Sequence, residues 1–194
     1  NGWIYVRNND FSTYYEAENT CDDHKQKGRE ISGYYLIDPY WFEYTTYCDM
    51  TLGIGESKNN PIWIEDCTDL QNINNDLIKY YALKNNIDCS DTINWNSGEG
   101  FEPIGDNVDE FKGNLQGYER TISNLYINRP DTNYVGLFGN IEGDISNLGL
   151  VNVNITGNDY IGGIAGAESG TITNSYVTGN IKGNYMVGGL TGMN

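Results

Sequence analysis

The sequence predicts an all-β-dominated chain whose larger part is a parallel β-solenoid, preceded by a small disulfide-stapled α+β module. Three observations carry this. Glycine blocks recur at near-constant spacing from about residue 134. The runs between them are short, β-branched and broken by Gly or Asn. All four cysteines, at 21, 48, 67 and 89, stand in the first half.

The chain has 194 residues, enough for one ordinary domain or two small ones. It carries 27 acidic against 11 basic residues, a formal charge of −16. Such a surface repels phosphate backbones and anionic bilayers, so no nucleic-acid partner is expected. No apolar run approaches the roughly 18 residues of a membrane span, so no direct membrane insertion is expected. No cofactor is required by the pattern; calcium is the ion the acidic balance would suit. The chain opens Asn1-Gly2-Trp3, without Met, and reads as processed or excised from something longer.

The cysteine spacings match no CxxC metal pattern, which favours disulfides and an oxidising, extracellular setting. Four cysteines allow three connectivities, and spacing does not choose among them.

The amino-terminal third holds aromatic clusters, Tyr14-Tyr15, Tyr34-Tyr35 and Tyr40-Trp41-Phe42. A short helix is expected from Asn19 through Lys25, ending at Gly28. A second helix is expected over Leu70 to Leu77, capped by Asp66 or Thr68, because Leu70, Ile73 and Leu77 fall on one face. A strand, Tyr80-Tyr81-Ala82-Leu83, follows. Alternate members of each tyrosine pair fill a small core, since adjacent strand residues point to opposite faces.

The carboxy-terminal part repeats. Tyr134-Val135-Gly136-Leu137-Phe138-Gly139 is echoed by Tyr160-Ile161-Gly162-Gly163-Ile164-Ala165-Gly166 and by Met186-Val187-Gly188-Gly189-Leu190-Thr191-Gly192. Ile161 to Val187 is 26 residues, as is Gly166 to Gly192. Ile145-Ser146-Asn147-Leu148-Gly149-Leu150 parallels Ile172-Thr173-Asn174-Ser175-Tyr176-Val177, 27 residues later. Thr121-Ile122-Ser123-Asn124-Leu125-Tyr126-Ile127 reads as an earlier variant of the same strand. A period of this size marks a repeat architecture. Val151, Val153 and Ile155 alternate with Asn152, Asn154 and Thr156, a half-buried strand pattern.

Two stretches carry family resemblances. Cys21, Ser32-Gly33-Tyr34-Tyr35-Leu36-Ile37-Asp38-Pro39 and Tyr47-Cys48-Asp49-Met50 resemble the opening of fibrinogen C-terminal-like domains. That resemblance implies a Cys21–Cys48 bridge, which leaves Cys67 to pair with Cys89. The family's glycine-rich continuation is replaced by Thr51-Leu52-Gly53-Ile54-Gly55, so the module, placed at residues 1–60, is truncated and brings no fibrinogen-type binding site. Within a second domain placed at 61–194, the segment from about Trp63 to Asn194 is similar to GLUG-repeat surface proteins of bacteria and archaea. The carrying residues are Asp69-Leu70-Gln71-Asn72-Ile73-Asn74, Phe101-Glu102-Pro103-Ile104-Gly105 and the blocks Gly136-Leu137-Phe138-Gly139, Gly163-Ile164-Ala165-Gly166 and Gly189-Leu190-Thr191-Gly192. This resemblance implies a parallel β-solenoid with an amino-terminal capping helix, of a kind found in adhesins.

Chemistry is sparse. The single histidine, His24, sits between Asp23 and Lys25, and no HExxH, GxSxG or Walker motif occurs. Asp88, Asp91, Glu99, Glu102 and Asp106 cluster before the repeats and are the candidates for a glycosidase pair or for calcium. Lys and Arg are scarce after residue 90, which argues against a polysaccharide-active enzyme. One glycosylation sequon exists, at Asn154. The expected function is a non-catalytic extracellular surface or adhesion module of a prokaryotic cell-surface protein. The alternative is a self-assembling subunit of a filament or surface layer. The expected partners are other copies or further repeats, and surface glycans or proteins. Assembly-edge candidates are Trp3, Ile4, Tyr5 and Val6 at one end and Met186, Val187 and Leu190 at the other, where apolar strand edges invite pairing.

Overall fold

The computed structural model describes residues 54–194 throughout and, before them, the backbone of four strands: Trp3–Asn8 (β1), Phe11–Glu16 (β2), Gly33–Leu36 (β3) and Thr45–Cys48 (β4). The chain forms two compact units, Asn1–Gly53 and Ile54–Asn194. In the first, β1 and β2 make one antiparallel hairpin and β3 and β4 another, with Gly33 opposite Cys48. The helix expected at 19–25, His24 and the Cys21–Cys48 bridge lie outside the described residues.

The second unit winds as a solenoid. Ile62–Ile64 (β5) pairs in parallel with Tyr80–Leu83 (β6), which pairs in parallel with Asn114–Ser123 (β8). Ile87–Asp88 (β7) continues β6 along β8. Tyr126–Asn128 (β9) and Phe138–Ile141 (β10) complete that coil. The next coil is Asp144–Thr156 (β11), Asp159–Ile161 (β12) and Ala165–Glu168 (β13). The last is Thr171–Thr173 (β14), Tyr176–Lys182 (β15), Tyr185–Val187 (β16) and Thr191–Met193 (β17). Every pairing between the named strands of these coils is parallel.

The sequence repeat is the strand register. Ile145 faces Ile172, Ile161 faces Val187 and Leu150 faces Val177. Like residues therefore stack on like along the axis: Leu115, Ile145 and Ile172 in one column, Ile127, Ile155 and Ile181 in another. Each fully buried Leu or Ile in these columns contributes about 1.5–3 kcal/mol. The Phe111 and Phe138 rings lie 4.7 Å apart, centre to centre, with the Tyr81 ring beside them. Burial, with Asp76 nearby, pushes the Tyr81 hydroxyl up to about 12, and it donates to the Asp76 carbonyl at 2.6 Å. Tyr80, its neighbour, is half-exposed, as strand alternation requires.

Two expectations need correction. Ile122 is in register with Leu150, not with Ile145, so the Thr121–Ile127 run pairs with residues 149–155 of β11, one corner further along than the Ile145–Leu150 segment it resembles. Leu115 holds the Ile145 register instead. The likeness is that of two successive corners, each turned by an Asn with positive φ: Asn147 and Asn152 in β11, matched by Asn174 in the following coil and Asn124 in the preceding one. The second correction concerns the helix. It starts at the expected cap, with Asp66 accepting from the Thr68 and Asp69 amides, but the α-form covers only Cys67–Gln71 (α1). The chain then tightens to a 3-10 turn at Asn72–Asn75. Asn74 and Gln71 are drawn out to bond the 102–105 backbone, while Leu70 and Ile73 close the end of the core.

Candidate functional site

The corners of the solenoid carry its chemistry. Asn tolerates positive φ better than other non-Gly residues, because its short amide bonds locally. Here the amides also bond between coils. Asn174 Nδ2 donates to Asn147 Oδ1 at 3.2 Å, and Asn147 Nδ2 donates to Gln116 Oε1 at 2.9 Å. Asn152 donates to Asn124 at 2.7 Å, and Asn124 donates to the Asp88 carboxylate at 2.8 Å. Asn184 donates to Asn158 at 2.5 Å, and Asn158 to Asn133 at 2.9 Å. All three ladders point their N–H groups toward the amino-terminal coils. Each therefore leaves an oxygen facing the other way.

Beside the Asn133 ladder runs a third type of corner. Tyr134 and Tyr160 both have positive φ, at 58° and 62°. Their rings stack 4.7 Å apart and 7° from parallel, and Tyr185 meets Tyr160 edge-on at 6.4 Å. On the amino-terminal side of Tyr134 the stack stops at an open groove of about 700 Å³. Its walls are the 74–78 turn, the 102–109 loop and the 129–134 corner. Arg129 reaches into this region but is paired with Glu99 at 2.9 Å. A smaller groove of about 250 Å³ lies between the 58–61 turn, Tyr80 and Tyr118.

The sequence-predicted residues do not converge. Asp88 anchors an amide ladder, and the Asn124 amide with the Ser90 N–H holds its carboxyl below the usual range. Glu99 pairs with Arg129, and Asp106 caps its own turn by accepting from the Val108 and Asp109 amides. Asp91 is exposed on a 3-10 turn, Ser90–Asn94. Among the described residues no three His, Cys, Asp or Glu side chains gather as a metal site would. Cys67 and Cys89 form a disulfide with Cα atoms 5.5 Å apart, tying the start of α1 to the coil that follows β6. Thr92, fully buried beside it, donates to the Cys89 carbonyl at 2.6 Å and accepts the Tyr126 amide. Asn154 stands exposed on the outer face of β11. Met186, Val187 and Leu190 are exposed on the last coil, and β1 is hydrogen-bonded to β2 along one edge. Sequence reasoning missed the ladder amides and the tyrosine stack. Their signal was the recurrence of Asn at separations of 25 to 28 residues.

Comparison with known proteins agrees with a surface setting. The chain is 40% identical over 85 residues to a protein named as a Gly-rich membrane protein from Evansella cellulosilytica. It is 42% identical over 89 residues to halomucin from Haloquadratum walsbyi. Each match covers 43% of this chain but only 10% and 1% of the two relatives, so the chain corresponds to a small part of either. The first of these relatives is a membrane protein by name. No family model matches the chain, and no solved structure matches it. Among the described residues no helix is long and apolar enough to cross a membrane.

Proposed function

We propose that the chain is a non-catalytic extracellular module of a prokaryotic cell-surface protein. In this reading its solenoid is of the GLUG type, its opening segment is fibrinogen-like, and it acts as a stackable rod segment in an adhesin. The observation that carries this is the shared polarity of the amide ladders. Asn174 and Asn184 turn unfilled oxygens outward beside an apolar edge in which Val187 is 45% and Leu190 41% exposed. In the preceding coils the corresponding Ile161 and Ile164 are fully buried. Two such edges face to face would set oxygen against oxygen. A further coil running the same way meets them with N–H groups and buries the apolar column. The expected partner is thus further repeats of the same kind. Of the acidic candidates, Asp88, Glu99 and Asp106 are held in a ladder, an ion pair and a turn, which supports a non-catalytic role.

The exposed edge also favours a second reading, a self-assembling subunit whose β1 pairs with the last coil of another copy. Sedimentation of the chain with and without residues 1–8 separates the two. Oligomers that dissociate on removing those residues support the subunit. A chain monomeric at high concentration in both forms supports the rod segment. Reducing-sugar release abolished by replacing Asp88, Asp91 or Glu99 would overturn both.

A further inference from the structure

The geometry points to a binding site for a neutral glycan in the groove at the amino-terminal end of the tyrosine stack, with Tyr134 as its platform. This deepens the surface-module reading and rests on it. The corners of the Asn147 and Asn124 ladders are turned by Asn, whereas Tyr134, Tyr160 and, one coil further on, Met186 hold a large side chain in the left-handed region, and only the first two carry rings there. Glycine would adopt that corner with no steric penalty, so the rings are retained against the backbone's preference.

Tyr160 covers one side of the Tyr134 ring. The groove opens on the opposite side, because its walls come from the preceding coil: Ile104, in the 102–109 loop, pairs with Phe138 of the Tyr134 coil. A pyranose placed there becomes the next rung of the stack, its C–H face on the ring. The groove walls supply hydroxyl partners. Glu102 and Asp109 are exposed on the 102–109 loop, and Asn75 on the opposite turn. Asp76 and Asp106 are engaged by the amides of their own turns. Arg129 is neutralised by Glu99, so no cation is left over for an anionic sugar. The acid excess repels uronic acids and sulfated chains and leaves a neutral oligosaccharide as the fitting class. A volume near 700 Å³, open along its length, suits a chain segment.

The test uses the full 194-residue chain, neutral hexamers of glucose and of N-acetylglucosamine, and an anionic galacturonate hexamer, read by saturation-transfer NMR and calorimetry. A neutral hexamer is expected to bind and the anionic one not to. Tyr134→Phe should retain affinity within about twofold, and Tyr134→Gly should weaken it about tenfold. Tyr160→Gly removes the same ring pair but leaves the groove wall, and should bind like the parent. No binding of either neutral hexamer, binding of the anionic one instead, or equal losses in Tyr134→Gly and Tyr160→Gly would overturn the proposal. If Tyr134→Gly does not fold, the Glu102→Gln, Asp109→Asn double variant decides, an unchanged affinity sinking the site. Failure here leaves the rod-segment reading standing, because that reading is tested by sedimentation.

Discussion

Gly166 lies flat against the Tyr134 corner: a Cβ on Gly166 would stand 2.5 Å from the Tyr134 Cα and 2.7 Å from the Tyr160 carbonyl oxygen. Only hydrogen fits between them, so the last glycine of this block makes room for the tyrosine corners. The first glycine of the block behaves differently by coil. A Cβ on Gly163 would meet Val177 at 2.5 Å, whereas one on Gly189 would meet nothing within 4 Å. Gly166→Ala and Gly163→Ala are therefore expected to lower stability by about 1–3 kcal/mol or more through overpacking. Gly189→Ala should lie near the parent. Urea unfolding midpoints of the three variants check this, and a Gly166→Ala protein as stable as the parent would contradict the packing.

Asn147 does two things at once. It holds a positive φ of 53°, and its amide bridges Gln116 and Asn174. Asn147→Gly keeps the turn and loses the bridge, which costs about 1 kcal/mol. Asn147→Ala loses both and adds the left-handed penalty, about 1–2 kcal/mol more. The expected order of melting temperatures is parent, Gly, Ala. An inverted order for the two variants would show that the ladder does not stabilise the corner.

Much of this architecture was legible in the sequence because the period of 26 or 27 residues is itself the inter-coil register, as Ile145–Ile172 and Ile161–Val187 show. The Asp66 cap and the Tyr80–Leu83 strand were legible from local chemistry. Register failed at Ile122, where two corners of one coil share a similar local sequence and only the packing of Leu115 on Ile145 decides which stacks on which. The helix end was missed because Asn74 and Gln71 bond the 102–105 backbone, a contact about 30 residues away that no local pattern announces. The candidate site was hidden for the opposite reason. Asn and Tyr at turns read as ordinary turn residues until the coils place them one above another.

Reducing the Cys67–Cys89 bridge should destabilise the solenoid from its capped end. The bond closes a separation of 22 residues, worth about 3 kcal/mol in the chain-entropy model. Both sulfurs are buried, with Cys89 fully so, so reduction should require prior opening of the cap. The expected result is a lower melting temperature for the Cys67→Ala, Cys89→Ala double variant, and slow reduction of the parent by dithiothreitol under native conditions. Rapid native-state reduction would show that α1 does not close the core.

Glu168 occupies a register position that Ile141 fills in the preceding coil. Its Oε2 is buried without a hydrogen-bond partner, and burial pushes the carboxyl above its ordinary value of 4.5. The folded state thus holds this proton more tightly than the unfolded chain does. Stability from this group is fully present below pH 4.5 and is lost as pH rises through the raised value. Glu168→Gln should therefore melt above the parent at pH 7, with the difference vanishing below pH 4.5. Melting curves across this range check the sign; a variant less stable than the parent at pH 7 would mean that Glu168 has a partner.

The last prediction concerns how protection against hydrogen exchange is distributed along the coils. In a solenoid each coil contacts only its neighbours, so its opening free energy reflects how many neighbours it has. β11 is hydrogen-bonded on both sides, to β8 and β9 on one and to β14 and β15 on the other. Its apolar residues Ile145, Leu148, Leu150, Val153 and Ile155 are all buried. Among the described residues β16 pairs only with β12, and β17 only with β13, and Met186, Val187 and Leu190 beside them are exposed. Amides of residues 145–155 should therefore exchange slowest, near the global unfolding limit, and those of residues 185–193 fastest. Repeating the measurement over a hundredfold range of protein concentration adds a second readout. Exchange at 185–193 that does not change with concentration is expected for a rod segment whose edge awaits further coils. Protection there that rises with concentration, while 145–155 stays constant, would mean that another copy covers the edge and would favour the self-assembling subunit. Uniform protection across all coils would contradict the nearest-neighbour picture itself.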